Sequence, residues 1–413
     1  MRILVLDEEF PYPANSGKRT RSFNIYCRLA TQFEIQYLGY GEEGSTGARA
    51  LREAGIKPMP VAARIPRQRG LAFYLRLIGN VASPLPYIVT SHFSGAYRAE
   101  VRKSVATFKP DLVVCEWTPY AIYVEKLRSI KKLVSTHNVE ADIWRRYYEN
   151  ETNGLRRWYI REQWRKVRRF EQAALGWVDG AVAVSEADRE YFAQHYPRLR
   201  TTVIQNGVDL NYFSVLPQPN QSRHLVFTGS MDWRPNQDAV RFFVNEILPL
   251  VRKTRPDVEV TFVGRSPPED ILRLAEVPGV HITGTVDDVR PYVKRSAVFI
   301  VPLRVGGGSR LKVLEALAMG RAVVSTTVGA EGLDVLEGEH VALADHPRVF
   351  AQTVLALLDD PGRRRRFAAN GRYLVEQRYE WDSLADRFAA FIRDVAGEGR
   401  SARMPGGTTR QPA

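Results

Sequence analysis

Residues 298–325 read VFIVPLRVGGGSRLKVLEALAMGRAVVS, and their pattern sets the expectation for the fold of the whole chain. The apolar run at 298–301 predicts a buried strand, which ends at Pro302 before a loop with three consecutive glycines. A helix is predicted to begin near Ser309, a suitable N-cap, and to end at Gly320, which favours the left-handed conformation of a helix terminator. A second apolar strand follows. Strands that are almost continuously apolar and alternate with helices predict parallel sheets covered on both faces.

The same alternation of strands and helices extends through both halves of the chain. In the first half, strands are predicted at residues 1–6, 35–38, 112–115, 133–136, 181–184 and 202–204. In the second half, strands are predicted at residues 224–229, 258–263, 280–282, 298–301, 322–325 and 341–343. Two such series predict an α/β protein with two Rossmann-like, doubly wound domains, whose carboxyl strand ends face a central cleft.

A polar, breaker-rich stretch between the two series predicts the domain boundary. We expect a first domain over residues 1–205, a linker over 206–223 and a second domain over 224–379. An amphipathic helix is predicted over residues 380–396, and the Gly-, Pro- and Arg-rich tail at 397–413 is predicted to be disordered. The length of 413 residues agrees with two domains, because a single hydrophobic core seldom serves so long a chain.

Composition and charge exclude several classes of protein. Cys27 and Cys115 are the two cysteines and lie far apart, outside any CxxC pair, so we expect neither a zinc site nor a disulfide framework. No stretch approaches the roughly 18 apolar residues of a membrane span, and the apolar run at the N-terminus is too short for a secretory signal. We therefore expect a cytoplasmic protein. The formal charge of +13 indicates an anionic partner, such as a phosphorylated substrate, anionic lipid or nucleic acid.

The glycine-rich loop and the helix after it have the chemistry of a phosphate site. Consecutive glycines leave backbone N–H groups free for a ligand, and the start of a helix carries about half a positive charge. Arg310 and Lys312 add two full positive charges in the first helical turn, where acidic residues would normally be favoured. A bound anion removes this conflict. We therefore predict that both side chains bind phosphate together with the loop.

Glu315 lies beside the apolar stripe of the same helix rather than opposite it. On a helical wheel it falls about 40° from Leu311 and about 60° from Ala318. A carboxylate in that position borders a cleft or pairs with a cation. Two interpretations stay open: Glu315 forms an ion pair with Lys312 three residues earlier, or it binds sugar hydroxyls as a two-oxygen acceptor.

Together these features resemble the donor-binding signature of family 4 glycosyltransferases, which have the GT-B fold. In that family a strand, a small-residue loop and a helix with a late glutamate bind the nucleotide sugar, and the usual signature has two glutamates separated by seven positions. Here the second matches Glu315, whereas the first falls on Gly307, which is similar to a subgroup with Gly-Gly-x-Arg-Leu-Lys before the retained glutamate. The resemblance implies that Glu315 holds the ribose hydroxyls. It also implies that the N–H groups of Gly307, Gly308 and Ser309 face the sugar or diphosphate.

Other positions of the second domain match the family more loosely. The resemblance places Gly229 in the first loop of that domain, where a glycine approaches the phosphates, and gives Arg234 the part of a nearby cation. The lysine that the family often has there is replaced near Asn236, so the two cations of the loop helix are inferred to supply the missing charge. Val286 lies in the segment that resembles the base-reading loop. The helix at 380–396 resembles the one that crosses back onto the first domain.

In the first domain, the resemblance singles out one strand end and one loop. His137, in the sequence STHNVE at 135–140, follows a buried strand, and the resemblance places it near the donor sugar and acceptor as a catalytic residue. Gly17 and Arg19, in PANSGKR at 13–19, match the family's first glycine-rich loop, which approaches phosphate and acceptor. The alternatives are a structural histidine and a simple turn before a helix.

The resemblance implies a retaining glycosyltransferase of the hexosyltransferase type. Its donor is expected to be a nucleoside-diphosphate sugar, and its acceptor a glycan or lipid-linked molecule in cell-surface polysaccharide or glycolipid synthesis. No Asp-x-Asp is placed on a loop after a predicted strand, so no metal or other cofactor is expected. Two alternatives stay open, a sugar-nucleotide epimerase with the same fold and a basic nucleic-acid-binding protein, although nucleic acid is not the expected partner.

Basic and aromatic residues are interleaved between Trp144 and Arg169, and a second such cluster runs from Arg64 to Arg76. Helices of this composition suit a membrane interface, so the first domain is predicted to contact anionic lipid on the inner face of the membrane, where lipid-linked acceptors reside. The alternative is a solvated helix face whose aromatic side chains lie in the core.

Overall fold

The computed structural model describes residues 1–63, 65–66, 70–219, 223–305 and 310–397. The chain divides into two compact units, Met1–Gln205 with Leu384–Ala413, and Asn206–Ser383. The break expected after residue 205 coincides with this division. Residues 206–219, expected as linker, lie in the second unit instead, because the Val208 N–H donates a hydrogen bond to the Tyr379 carbonyl (2.8 Å). Apart from Gly397, the tail predicted to be disordered lies outside the described residues.

The first unit is built on a sheet of seven parallel strands in the order β3-β2-β1-β4-β5-β6-β7. Their bounds are β1 (Arg2–Glu9), β2 (Glu34–Tyr40), β3 (Lys57–Val61), β4 (Leu112–Cys115), β5 (Lys131–Ser135), β6 (Gly180–Ala183) and β7 (Arg200–Val203). Six of these strands confirm the sequence prediction. β3 was missed because Pro58 and Pro60 interrupt its pattern, and it is an edge strand, where proline costs no ladder hydrogen bond.

Helices connect these strands and cover the sheet. They are α1 (Gly17–Leu29), α2 (Thr46–Glu53), α3 (Leu71–Val81), α4 (Tyr87–His92), α5 (Gly95–Phe108), α6 (Glu140–Asn150), α7 (Gly154–Gly176) and α8 (Glu186–His195). A 3₁₀ helix at Thr118–Tyr123 follows β4. The central strands are almost wholly buried, as expected for a parallel sheet between two helical layers.

The second unit repeats this design with six parallel strands in the order β10-β9-β8-β11-β12-β13. Their bounds are β8 (His224–Thr228), β9 (Glu259–Val263), β10 (Val280–Ile282), β11 (Val298–Val301), β12 (Ala322–Ser325) and β13 (Ala342–Leu343). The helices are α9 (Arg234–Phe242), α10 (Leu248–Arg252), α11 (Glu269–Leu272), α12 (Arg290–Arg295), α13 (Leu311–Ala318), α14 (Thr327–Ala330), α15 (Pro347–Asp359) and α16 (Pro361–Arg378). A π-helical segment at Phe243–Ile247 and a 3₁₀ helix at Arg273–Glu276 complete the unit.

Both sheets have a switch point at which the strand order reverses. In the first unit it lies between β1 and β4, and in the second unit it lies between β8 and β11. Crossover connections leave the sheet in opposite directions at a switch point, so a crevice forms beyond the carboxyl ends of those two strands. The positions that matter most for ligand binding are therefore the residues after β1, β4, β8 and β11.

The last helix, α17 (Trp381–Ala396), begins in the second unit and continues in the first. The first-unit boundary falls at Leu384 rather than at residue 380. Within the first unit, Gln32 Nε2 donates a hydrogen bond to Asp386 Oδ1 (2.9 Å) and Arg393 Nη2 donates one to Gln32 Oε1 (2.7 Å). The chain thus passes twice between the units.

Candidate active site

Lys312 brings a positive charge to the switch point of the second unit. It lies in the first turn of α13, and its Nζ donates a hydrogen bond to Asn236 Oδ1 (2.7 Å) in the first turn of α9. The same ammonium lies 4.1 Å from the ring centre of Phe227 in β8. The cation predicted on the loop helix therefore reaches the segment after β8, where the resemblance left a lysine missing.

Gly229 leaves the room that this ammonium occupies. A Cβ at residue 229 would lie 2.7 Å from Lys312 Nζ and 2.8 Å from Asn236 Nδ2, closer than side chains tolerate. Gly264, after β9, is confined in the same way, because a Cβ there would collide with the carbonyl oxygen of Gly229. The segments after β8 and β9 therefore approach each other through backbone atoms without side chains between them, and the Lys312 ammonium lies beside Gly229.

Glu315 lies three residues beyond Lys312 on α13 and is half-buried. The ion pair between the two, one of the two interpretations of the sequence, is not formed, since Lys312 turns to Asn236. In the part of the chain that the structure describes, no hydrogen-bonding or ion-pair partner reaches the Glu315 carboxylate. Burial raises the pKa of Glu315 to about 7 against the opposing charge of Lys312. Burial likewise lowers the pKa of Lys312 to about 7, although Glu315 opposes this shift.

Arg310 holds the N-cap position of α13, one residue later than the predicted cap at Ser309. Its backbone is left-handed (φ 49°), a conformation that costs a residue with a side chain about 1 kcal/mol. The side chain is buried, its Nη2 lies 3.3 Å from Glu331 Oε2, and burial lowers the pKa of its guanidinium. Part of its charge is therefore already met within the protein.

The structure brings none of the other predicted donor-site residues that it describes into a hydrogen bond or ion pair with Lys312 or Glu315. Gly307, Gly308 and Ser309 lie outside the described residues. Arg234 is the first residue of α9 and its side chain is exposed. Val286 lies between β10 and α12 and packs, partly buried, against the core of the unit. The roles predicted for these five residues stay predictions.

Three consecutive acids end β1 in the first unit, next to its switch point. Lys18 in α1 donates a hydrogen bond to Glu8 Oε1 (2.8 Å) and lies 2.7 Å from Asp7 Oδ1. Burial raises the pKa of Asp7 to about 6, although the charge of Lys18 opposes this shift. Glu9 pairs with Arg19 instead, whose Nε donates to Glu9 Oε1 (2.6 Å). Arg19, predicted for a phosphate loop, is thus held by an acid, and Lys18 is the cation at the strand end.

Gly17, the other residue of that predicted loop, is the first residue of α1. Ser16 caps the helix, because its Oγ accepts a hydrogen bond from the Arg19 N–H (3.3 Å). This geometry matches the simpler interpretation of the segment, a turn before a helix, and a contact with phosphate or acceptor stays a prediction.

His137 follows β5 and stands beside a buried carboxylate. Its Nε2 lies 3.3 Å from Oε2 of Glu116, the residue after β4. Glu116 also accepts hydrogen bonds from the hydroxyls of Tyr26 (2.6 Å) and Ser22 (3.2 Å). Burial acts to raise the pKa of Glu116, but His137, Arg21 and Tyr26 hold it at about 2, and burial lowers the pKa of His137. An ionised carboxylate therefore faces a neutral imidazole.

Trp117 and Glu140 extend this polar group. The Trp117 Nε1–H donates a hydrogen bond to Glu140 Oε1 (2.7 Å), and the His92 ring packs edge-on against the indole with centres 5.1 Å apart. Burial raises the pKa of Glu140 to about 7, although the bond from Trp117 opposes the shift. Trp117 has φ 136°, which residues with a side chain rarely adopt, and such strain often accompanies a functional site.

Sequence reasoning selected His137 from this cluster and missed the side chains around it. Those missed are Asp7, Glu8, Lys18, His92, Glu116, Trp117 and Glu140. A usable signal was present, since acids and a tryptophan directly follow two apolar strand patterns, and polar residues at carboxyl strand ends are placed where ligands bind.

The two switch points have different chemistry. In the second unit lie the start of a helix, an ammonium and a carboxylate that has no partner among the described residues, and these are groups that can bind a phosphate and a vicinal diol. In the first unit, carboxylates, an imidazole and an indole offer partners for hydroxyl groups. Among the described residues, no three His, Cys, Asp or Glu side chains lie where they could share a metal ion.

Comparisons with known proteins bear on both units. A family model described as "Glycosyltransferase Family 4" matches residues 47–212, and one described as "Glycosyl transferases group 1" matches residues 222–360. The two matches together cover most of the chain: the first lies in the first unit except for its last seven residues, 206–212, and the second lies in the second unit.

Two relatives in sequence and one in structure illustrate these matches. An "Uncharacterized 44.6 kDa protein in cps region" of Klebsiella pneumoniae is 23% identical over 401 residues, covering 92% of this chain and 96% of that protein. A "GDP-mannose-dependent alpha-(1-6)-phosphatidylinositol monomannoside mannosyltransferase" of Mycobacterium tuberculosis is 30% identical over 240 residues, covering 52% of this chain and 62% of that protein. Sucrose-phosphate synthase of Thermosynechococcus elongatus superposes with a TM-score of 0.67 at 16% identity, covering 96% of this chain and 99% of the other. This likeness confirms the GT-B fold.

Proposed function

The chain belongs to the family 4 glycosyltransferases, and from this premise we propose that it transfers a sugar from a nucleoside-diphosphate sugar to a glycan or lipid-linked acceptor. One observation carries the proposal: α13 presents Lys312 at the switch point beside Gly229, while the Glu315 carboxylate has no hydrogen-bonding or ion-pair partner among the residues that the structure describes. In the proposed complex the ammonium and the helix start bind the diphosphate, and Glu315 accepts hydrogen bonds from the ribose hydroxyls.

In the proposed reaction, the bond from the anomeric carbon to the diphosphate oxygen breaks as the acceptor oxygen bonds to the same face of that carbon. Anomeric configuration is thereby retained, and the acceptor proton goes to the departing phosphate. Negative charge develops on that phosphate, so a positive group fixed beside it stabilises the transition state by several kcal/mol. We assign this role to Lys312, without a metal ion, and a lesser one to Arg310, which Glu331 already pairs.

His137 is proposed to act on the sugar side of the reaction. A neutral imidazole beside an ionised carboxylate is suited to hydrogen bonding with a sugar hydroxyl, and burial keeps the His137 pKa below its usual value. The mycobacterial relative is named as a GDP-mannose-dependent mannosyltransferase of a phosphatidylinositol monomannoside, which supports a nucleotide-sugar donor and a glycolipid or polysaccharide acceptor here. Neither named enzyme among the relatives described above is an epimerase, which leaves the epimerase alternative without support.

We also propose that the enzyme works in the cytoplasm, at the inner face of the membrane. In the predicted contact segment between Trp144 and Arg169, the side chains of Tyr147, Leu155 and Trp158 are exposed. Several arginines of the segment are paired with acids; Arg145, for example, bonds to both Asp142 and Glu149. No helix in the described part of the chain is long and apolar enough to cross a bilayer.

A nucleotide screen tests the proposal. The purified protein is heated with UDP, GDP, ADP and their common sugar derivatives, with and without EDTA. A ligand at a hundred times its dissociation constant adds about 2.7 kcal/mol to the folded state, so one nucleoside diphosphate should raise the melting temperature by several degrees, with or without EDTA.

Variants test whether the nucleotide binds at the proposed site on α13. Glu315→Ala and Lys312→Ala should reduce the shift to about half or less, as a ten-fold or greater loss of affinity requires, whereas Glu276→Ala, an exposed acid of the same unit, should retain it in full. The site assignment is wrong if Glu315→Ala responds like the wild type. The transferase proposal itself fails if no nucleotide shifts the wild type while an oligonucleotide does.

A further inference from the structure

The loop after β12 brings a second carboxylate to the start of α13. Glu331 is the C-cap residue of the short helix α14, and its Oε2 lies 3.3 Å from Nη2 of Arg310, the N-cap residue of α13. Residues 298–325 contain one acid, Glu315, and Glu331 is the next acid in the sequence. The segment that forms the proposed donor site therefore receives its second acid from the neighbouring strand end.

Hydrogen bonds to the end of β11 fix the segment that carries Glu331. The Thr326 N–H donates a hydrogen bond to the Val301 carbonyl (3.1 Å), and the Thr326 hydroxyl donates one to the Leu303 carbonyl. The same hydroxyl accepts a hydrogen bond from the Gly329 N–H (3.0 Å) and so caps α14. A Cβ at residue 329 would lie 2.7 Å from the Val301 carbonyl oxygen, so glycine allows this close approach. Glu331 is thus held on a segment that is bonded to the end of β11.

The position of Glu331 is unfavourable for a site that binds only an anion. In the proposed complex the diphosphate lies at the start of α13, and a carboxylate nearby repels it. The Glu331 side chain is 50% exposed, whereas that of Arg310 is 3% exposed, so the ion pair is open to solvent on the Glu331 side. An acid in this place is explained if the ligand also carries hydroxyl groups, for which a carboxylate is a two-oxygen acceptor.

The strand order places Glu331 toward the sugar end of the proposed donor. Along the carboxyl edge of the sheet the strands follow one another as β10, β9, β8, β11 and β12. Val286, predicted to contact the base, follows β10, the Lys312 ammonium lies at the end of β8, and Glu331 follows β12. In a nucleoside-diphosphate sugar the diphosphate joins the nucleoside to the sugar. A base near β10 and a diphosphate near β8 therefore direct the sugar toward β12.

We propose that Glu331 determines specificity for the donor sugar: its carboxylate accepts hydrogen bonds from hydroxyl groups of the transferred sugar, while Arg310 holds the carboxylate and offsets its charge. The donor is then a sugar nucleotide whose sugar has free hydroxyl groups on the side that faces β12. A sugar that lacks those hydroxyls forfeits the hydrogen bonds, and one that carries a carboxylate there is repelled. This inference rests on the proposed function, because it assigns the sugar end of the same donor site.

Titration calorimetry of the full chain tests the contact. Two dissociation constants are measured for each protein, one for the nucleoside diphosphate found in the screen and one for the sugar nucleotide of that base that the wild type binds most tightly. Glu331→Gln should shift their ratio against the sugar nucleotide by about five-fold or more, because hydrogen bonds to a charged acceptor become bonds to a neutral one. The bare nucleoside diphosphate should bind as tightly as before or more tightly, since no acid competes with phosphate for Arg310.

Two further variants separate a contact with the sugar from a mere counterion of Arg310. Glu331→Asp keeps the negative charge but withdraws the carboxylate by one methylene group. It should therefore also shift the ratio against the sugar nucleotide, while the affinity for the bare nucleoside diphosphate stays that of the wild type. Glu337→Gln alters an exposed acid six residues further along the chain and should leave both dissociation constants unchanged. Melting without ligand verifies that all three variants are folded.

The outcomes distinguish this inference from the proposed function. A ratio that stays unchanged in Glu331→Gln, whether both ligands still bind or both are lost, overturns the inference and leaves Glu331 as a counterion of Arg310. The proposed function survives that result, because the wild type still binds the nucleotide. A wild type that binds no nucleoside diphosphate overturns the proposed function and this inference together. A wild type that binds all sugar nucleotides of one base equally contradicts the role of Glu331 alone.

Discussion

His137 and Glu116 show how one buried charge sets the state of one side chain. Because a carboxylate only accepts hydrogen bonds, we assign the hydrogen of His137 to Nε2, which lies 3.3 Å from Glu116 Oε2, and the lone pair to Nδ1. In the proposed reaction Nδ1 is therefore an acceptor for a sugar hydroxyl. The sequence identified His137 by its position after a strand, but it could not identify Glu116, because the two come together only once β4 and β5 are neighbours.

Replacing the carboxylate by an amide tests this pairing. Glu116→Gln removes a negative charge that raises the pKa of His137, so the acid limb of the pH–rate profile should move to lower pH. The rate should fall by about ten-fold or more, because the amide no longer fixes the hydrogen on Nε2. The measurement is release of nucleoside diphosphate, without acceptor, from the donor found in the screen.

A second buried carboxyl group of the first unit provides the control. Glu171→Gln alters a buried carboxyl that accepts a hydrogen bond from the Ala141 N–H (3.3 Å), and it should leave the pH–rate profile in place. If the acid limb of the pH–rate profile does not move in a well-folded Glu116→Gln variant, Glu116 does not set the pKa of His137.

In the proposed site, two helices, α9 and α13, together position the one ammonium that binds the diphosphate. α13 supplies the ammonium of Lys312, and α9 supplies Asn236, whose amide holds it while donating to the Ser230 carbonyl (2.7 Å). The charge at the end of β8 therefore arrives from a helix 76 residues further along the chain. We therefore expect phosphate binding at the proposed site to depend on the position of the ammonium and not on which of the two helices carries it.

Exchanging the two residues tests that interpretation. Lys312→Asn alone should weaken binding of the nucleoside diphosphate by about ten-fold or more, because a charge-assisted contact with phosphate is lost. Lys312→Asn combined with Asn236→Lys should recover most of the affinity, since the ammonium again lies beside Gly229. Titration calorimetry measures both. A double variant as weak as the single one would show that Lys312 acts from α13 only.

The sequence predicted helices and strands well where the signal lies within the element itself. β11, β12 and the end of α13 at Gly320 (φ 66°) agree with expectation, because apolar runs and a terminal glycine are visible in the sequence. The partner of Lys312 was not predictable, since a choice between Glu315 on the same helix and Asn236 on another depends on packing. Arg310 at the N-cap was equally hidden, because left-handed backbone is seldom adopted by arginine.

Buried carboxyl groups in both units give the whole molecule an unusual pH response. Burial raises the pKa of Asp7 to about 6 and of Glu140, Glu171 and Glu315 to about 7. Between about 4.5 and 7 the unfolded chain has lost protons that the folded chain still holds, so these groups make stability fall as pH rises. The three glutamates contribute their full stabilisation below about pH 4.5 and have lost it above about pH 7. For Asp7 the corresponding limits are about 3.8 and about 6.

Glu171→Gln isolates one of these contributions. A shift from 4.5 to about 7 corresponds to about 3 kcal/mol, so the wild type should lose more stability between pH 5 and pH 8 than the variant does, by about 2 kcal/mol. Urea unfolding at both pH values measures this difference. Glu190→Gln, an exposed acid of the same unit, should behave like the wild type, and equal losses in all three proteins would contradict the assignment.

The division of the chain into two units agrees with the sequence at one border and departs from it at the others. The alternation of apolar strands with helices, and the polar stretch that interrupts it, indicate the division after residue 205. They do not show that residues 206–219 pack on the second unit, because the bond from Val208 to Tyr379 joins segments far apart in sequence.

The path of α17 has a consequence for the time at which each unit is completed. Translation delivers residues 1–205 before the second unit, yet Leu384, Phe388 and Ile392, which are fully buried in α17, emerge from the ribosome only after it. The second unit, Asn206–Ser383, is contiguous and has all of its strands before those residues appear. Of the two units, the one whose synthesis begins earlier is therefore completed later, and the apolar surface that α17 covers in the first unit stays exposed on the nascent chain until α17 has been made.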